Sequence, residues 1–220
     1  MTDSFLLELL TEELPPKALK RLGESFACGI TQRLTKDGLC DQNAVVSPYA
    51  TPRRLAIHID RVLAQAPSQE RQEKLLPVSI AIDSAGQATA PLIKKLASFG
   101  VTLGQGIDLD QLDRVSDGKQ DYLIYRFTAP GATLAASAQA ALEETIQSLP
   151  IPKLMTYQRK NGDTVKFVRP AHRLIALHGD QILPLQLLGL KASNLTSGHR
   201  FHTHEDIKIP HAALYEQILS

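Results

Sequence analysis

Phe5-Leu6-Leu7-Glu8-Leu9-Leu10-Thr11-Glu12-Glu13-Leu14-Pro15-Pro16-Lys17-Ala18-Leu19 carries the chain from an apolar strand into a helix within fifteen residues. Ser4 to Leu10 is apolar at nearly every position, which is the pattern of a buried strand. Glu12 and Glu13 follow, where the positive end of a helix dipole favours anions. Pro15 and Pro16 come next. The first helical turn tolerates proline, because the N–H it lacks would be unpaired there anyway. From Pro16 to Lys36 the residues Leu19, Leu22, Phe26, Ile30 and Leu34 recur at three- and four-residue spacing, the stripe of an amphipathic helix. Gly38 is the expected stop.

Working outward, Asn43 to Tyr49 and Leu55 to Leu63 read as strands joined across Thr51-Pro52. In the second, Leu55, Ile57, Ile59 and Arg61 alternate with Ala56, His58, Asp60 and Val62. Gln65 to Lys74 is polar and reads as a loop or linker, and Ser79 to Asp83 as a short strand. Thr89 to Phe99 reads as a helix capped by Thr89. Asp117-Gly118 between Gln111–Ser116 and Gln120–Thr128 is a strong hairpin signal. Thr133 to Leu149 reads as a helix, ended by Pro150-Ile151-Pro152. Val165 to Val168, Arg173 to His178 and Ile182 to Leu190 read as strands, and a last helix begins near His211. Hairpins mixed with separated helices predict an α+β fold rather than a doubly wound parallel sheet. The chain of 220 residues is expected to be one domain, with a possible sub-boundary near 65–76.

Composition narrows the class. The hydrophobic fraction of 43% is that of a folded globular chain. No apolar run approaches the ~18 residues of a membrane helix, and Asp3 stands where a signal peptide carries a cation. A cytoplasmic location without membrane contact is expected. Cys28 and Cys40 form neither a metal nor a disulfide pattern and read as inert thiols. The net charge of +1 conceals an asymmetry: Pro150 to Glu205 holds eight Lys and Arg against three Asp and Glu. Such a local positive field suits a polyanion, or it is a solvated surface of mixed charge.

Catalytic patterns are missing. There is no Walker loop, no GxGxxG unit and no GxSxG elbow, and Gly104-Gln105-Gly106 reads as a turn. Glu12 with Glu13 and Glu143 with Glu144 are adjacent pairs, not acid/base dyads. His199, His202 and His204 offer imidazoles without the Cys or second cluster that completes a zinc site. No catalytic residue and no metal site is therefore expected. The candidate binding residues are cations at turns and strand ends. Arg53 and Arg54 follow a proline turn, where a guanidinium can hold a phosphate bidentately or pair with Glu12 or Glu13. Arg169 and His172 flank Pro170 at a strand mouth. His199-Arg200-Phe201-His202 interleaves cations with an aromatic, compatible with stacking on bases or with a strand whose Phe201 is core. Lys153 follows the Pro-Ile-Pro break.

Five segments in fixed order carry a family resemblance: Thr11–Leu19, Tyr49-Ala50-Thr51-Pro52-Arg53-Arg54-Leu55-Ala56, Leu149-Pro150-Ile151-Pro152-Lys153-Leu154-Met155, Phe167-Val168-Arg169-Pro170-Ala171-His172 and Ser197-Gly198-His199-Arg200-Phe201. Together they resemble the N-terminal region of the β subunit of bacterial-type glycyl-tRNA synthetase. Leu10 stands where that family usually has Gly, and Thr156-Tyr157 where it has an Arg-Trp-like pair. The resemblance implies an N-terminal piece of a longer β chain, without the family's later HD-like and anticodon-binding domains. It also implies a module similar to the B3/B4-like module of phenylalanyl-tRNA synthetase β chains. The expected partners are the α subunit, tRNA for glycine and the rest of β. ATP and Mg are expected in the α subunit and no cofactor in this part. The implied role is support of ATP-dependent glycine attachment, by tRNA binding through Arg53, Arg54, Lys153, Arg169, His172, His199 and Arg200, by assembly, or by both. The alternatives are a purely structural module and a stand-alone editing-like hydrolase.

Overall fold

The computed structural model describes residues 1–103, 106–158, 162, 164–198 and 205–220. Two compact units divide the chain. Unit one comprises Met1–Pro67 and Gly131–Ser220, and unit two is Ser68–Pro130. The possible sub-boundary read near 65–76 spans the start of unit two at Ser68. Unit two is an insertion, leaving and re-entering unit one where Ala66 N–H donates to Ala132 C=O at 2.9 Å and Leu134 N–H to Ala64 C=O at 2.9 Å. Gly131 is required at this crossing, since a Cβ there would run into the carbonyl of Ala66.

Unit one begins with β1 (Thr2–Thr11), a 3₁₀ turn at Pro16–Ala18, α1 (Leu19–Lys36), β2 (Val46–Thr51) and β3 (Arg54–Leu63). Unit two contains β4 (Gln69–Pro77), α2 (Val78–Ala81), α3 (Ala90–Ala97), β5 (Thr102–Leu103), β6 (Gly106–Ile107), β7 (Asp113–Ser116) and β8 (Asp121–Ala129). Unit one resumes with α4 (Leu134–Ser148), β9 (Met155–Gln158), β10 (Thr164–Phe167) and β11 (Ala171–His178). It continues through β12 (Gln181–Ile182), β13 (Gln186–Leu187), β14 (Leu190–Ser193), β15 (Leu195–Ser197) and β16 (Asp206–Lys208), and ends in α5 (Tyr215–Leu219). The α+β expectation holds.

Among the described residues, unit one is built on a seven-stranded sheet in the order β13-β14-β11-β1-β3-β2, with β12 paired to β11. The opening stretch is its centre: β1 runs antiparallel to β3 on one side and to β11 on the other. One face sends Phe5, Leu7, Leu9, Leu55, Ile57 and Ile59 into a core with Leu22, Phe26, Ile30 and Leu34 of α1 and Ala138, Ala141 and Leu142 of α4. The other face, with Leu6, Ala56, Ile175 and Leu177, is covered by Ile209, Ala212 and Tyr215. The strict alternation expected for β3 breaks at Asp60-Arg61. The register against β1 shifts between Asp3 and Phe5, so Val62, not Arg61, returns to the α1/α4 face.

In unit two the sheet order is β4-β8-β7, and the core holds Leu75, Ala81, Leu92, Leu96, Ile107, Leu112 and Leu123. The β7–β8 hairpin is where Asp117-Gly118 put it. Two expectations are corrected here. The polar stretch Gln65–Lys74 is largely strand β4, and Ser79–Asp83 is the end of helix α2 followed by extended chain. Gln69 to Lys74 is exposed throughout, so it carries no apolar alternation; its strand state comes from hydrogen bonds to β8. Two short hairpins of unit one, β9–β10 and β15–β16, went partly or wholly unread.

Candidate functional site

Three of the singled-out segments meet at one end of the central sheet. The end of β1, the β2–β3 turn and the chain entering β11 are neighbours because β1 lies between β3 and β11. Backbone bonds fix them: Thr11 N–H donates to Arg53 C=O at 2.9 Å, Leu14 N–H to Pro52 C=O at 2.6 Å and Glu12 N–H to Pro170 C=O at 2.8 Å. Proline has only an acceptor to offer, so Pro52 and Pro170 serve as receiving positions. The segments bound an open groove of about 690 Å³, lined by Glu12, Glu13, Leu14, Pro15, Pro16, Pro52 and Arg169.

The cations of this end have partners within the chain. Arg53 Nη2 lies 3.4 Å from Glu12 Oε1, and His172 Nε2 lies 2.8 Å from the same oxygen. Arg169 donates from Nε to the Glu13 carbonyl at 2.8 Å and from Nη1 to the Val168 carbonyl at 3.1 Å. Its Nη1 is also 3.0 Å from Met155 Sδ at the base of the β9–β10 hairpin. The groove therefore presents proline rings beside two carboxylates, Glu12 and Glu13, and the guanidinium of Arg169.

Arg54 turns the other way. By alternation one of the two arginines must leave the groove side, and Arg54 enters the far face of the sheet. There it meets Glu8, the one charged residue within the apolar run of β1, which is completely buried. Arg54 Nε is 2.8 Å from Glu8 Oε2. Thr196 and Tyr215, both buried, donate their hydroxyls to the two Glu8 oxygens. Arg54 Nη2 also donates to the Ser197 carbonyl at 2.5 Å. Burial, and then the Glu8 charge, push the Tyr215 phenol far above its ordinary range. Its ring stands edge-on to Tyr49 at 5.4 Å, and Tyr49 donates to Glu216 at 3.1 Å.

The structure thus brings Arg53, Arg169 and His172 together and separates Arg54 from them. Lys153 is exposed, with no ion-pair partner among the described residues. His199 and Arg200 lie outside the described residues, as do Phe201, His202 and His204. Among the described residues no group of His, Cys, Asp or Glu gathers to hold a metal ion. Glu8, Thr196 and Tyr215 were missed from sequence, although a lone carboxylate inside a buried strand announces a buried partner.

Residues 5–220 match the profile of a component of the aminoacyl-tRNA synthetases. The chain belongs to the glycyl-tRNA synthetase beta subunit family. It is 54% identical over 217 residues to the glycine–tRNA ligase beta subunit of Ralstonia nicotianae, covering 98% of this chain and 31% of that protein. The same-named subunit of Polaromonas naphthalenivorans is 47% identical over 212 residues, covering 93% of this chain and 30% of the relative. That of Nitrosomonas eutropha is 46% identical over 220 residues, covering 99% and 30%. The chain spans about a third of the length of these relatives.

Proposed function

We propose that this chain acts as the N-terminal, non-catalytic part of a glycine–tRNA ligase β subunit, and that the groove at the end of its sheet docks the α subunit of the ligase. In that role it supports ATP-dependent attachment of glycine to its tRNA, with ATP and Mg handled by the α subunit. Family membership supports the setting, and the B3/B4-like module is the proposed class of the fold. The observation that carries the docking reading is the charge balance of the groove. A phosphate-binding surface presents unpaired cations, whereas Arg53 and His172 are paired with Glu12 and Arg169 with backbone carbonyls. Three rigid proline rings, Pro15, Pro16 and Pro52, line the groove beside these polar groups, a mix of apolar and polar surface of the kind protein interfaces use.

The test uses full-length β with its α subunit. Arg169→Ala and Pro52→Ala should each weaken α–β association about tenfold, the size of a moderate interface truncation. The tRNA affinity of the assembled enzyme should stay unchanged. Normal assembly with lowered tRNA affinity overturns the reading in favour of the second one, direct tRNA contact. That second reading draws its support from Lys153 and Lys166, both exposed and without ion-pair partners among the described residues. In the same titrations, loss of either lysine would then flatten the salt dependence of tRNA binding by about one phosphate contact.

A further inference from the structure

We infer that Glu8 and Arg54 are a positioning pair for the groove, holding its Pro52–Arg53 wall from the opposite face of the sheet. The inference rests on the docking reading for its functional consequence but not for its structural content. The wall is the turn Thr51–Arg54, whose outward side carries Pro52 into the groove. Beyond the pairing of Arg54 with Leu10 at the end of the β1–β3 ladder, two backbone bonds hold it to the groove floor, from Thr11 to Arg53 and from Leu14 to Pro52. Among the described residues the Arg53 side chain has one ion-pair partner, Glu12, at 3.4 Å and with both side chains partly exposed. A pair of that kind is weak.

Behind the wall the situation is different. Arg54 is the residue next to Arg53, and its guanidinium is held at three points: Glu8, Thr196 and the Ser197 carbonyl. Glu8 lies in the middle of β1, two residues before the strand's last leucine, and is enclosed completely. A buried carboxylate that loses its cation is left uncompensated in a low-dielectric setting, so the pair resists separation. The turn cannot swing out of the groove without withdrawing Arg54 from Glu8. The same guanidinium fastens the end of β15 through Ser197, and Glu8 fastens α5 through Tyr215. The groove wall, β15 and the start of α5 therefore share one buried anchor. A shift of β15 reaches the turn through Arg54 directly, and a shift of α5 through Tyr215, Glu8 and Arg54. Adjacent arginines here divide their work: Arg53 belongs to the groove, and Arg54 sets where Arg53 and Pro52 stand.

The test has two arms. In the full-length β chain alone, amide hydrogen exchange is followed on peptides covering Thr11–Leu14 and, as an internal control on the other face of the sheet, Ala138–Leu142 of α4. Glu8→Gln keeps the size of the side chain, removes its charge and turns one acceptor oxygen into a donor. It should speed exchange in Thr11–Leu14 at least tenfold while Ala138–Leu142 changes little. Equal acceleration of both peptides, or of neither, overturns the positioning role. In the second arm, α–β association is measured below the unfolding range for Glu8→Gln, Pro52→Ala and the double variant. Glu8→Gln should weaken association severalfold, and much less so once Pro52 is already replaced. Full additivity overturns action through the wall. If Pro52→Ala leaves association untouched while the exchange result stands, the docking reading fails and the positioning pair survives.

Discussion

A single carboxylate sets the terms for the far face of the sheet. Glu8 sits among Leu6, Ala56, Ile175 and Leu177, where an ion is tolerated only if each of its oxygens is occupied. Arg54, Thr196 and Tyr215 do this. The Tyr215 phenol, displaced upward by burial and by the carboxylate it serves, should ionise only as the protein unfolds. Its folded-state value is raised above the ordinary 10.0. The stability linked to this shift is therefore complete below that pH and is lost as pH climbs past it. Ultraviolet titration at alkaline pH should find Tyr215 silent until the protein unfolds. Tyr215→Phe should lower stability by roughly 1.5–3 kcal/mol, the worth of a hydrogen bond to a charged group, and reduce the further loss above pH ~10. A Tyr215 that titrates near the ordinary 10.0 in the folded protein contradicts this account.

Elements packed by apolar periodicity were legible, and those held by backbone pairing alone were not. The stripe Leu22–Phe26–Ile30–Leu34 is found in the core as read, since its spacing is the spacing of one helix face. The expected helix at Thr133–Leu149 appears as α4, and Thr133 does cap it by accepting from the Ala136 N–H at 3.4 Å. Thr89 precedes α3 without capping it: its hydroxyl donates back to Ile80 and Ala81, an option that short polar side chains always have. β4 escaped reading because its side chains mostly face water on both sides. Of the site, the groove's three segments were visible as words, but their meeting depends on β1 lying between β3 and β11, which no local pattern states. Helix α1 also has a feature only the packed structure reveals. A Cβ on Gly23 would lie 2.5 Å from the Cβ of Ala50 on β2, closer than two side chains can stand. Gly23→Ala should therefore destabilise by about 1–3 kcal/mol through overpacking, despite the better helix propensity of alanine. Chemical denaturation decides it, and a more stable Ala variant would show that α1 can move off the sheet edge.

At the scale of the whole chain, unit two is an excursion from unit one. Its entry and exit are tied by Ala66 to Ala132 and by the bridge between Gln65 and Thr133. Each unit has its own core. Replacing Ser68–Pro130 with a short Gly-Ser link should leave unit one folding cooperatively, with its tyrosine environment at Tyr49 and Tyr215 intact. Loss of a cooperative transition would show that unit one depends on unit two. The order of the sheet has a consequence for synthesis. β1 leaves the ribosome about 160 residues ahead of β11, one of its two flanking partners, where Leu7 faces Ala176. At ~5–20 residues per second, β1 waits roughly 10–30 s for that partner. Unit two is finished well before then. During the interval this apolar strand has one edge unpaired, with β3 along the other. Slow codons between Gly131 and Ala171 would lengthen that exposure, and a nascent-chain chaperone would find its target at Phe5–Leu10.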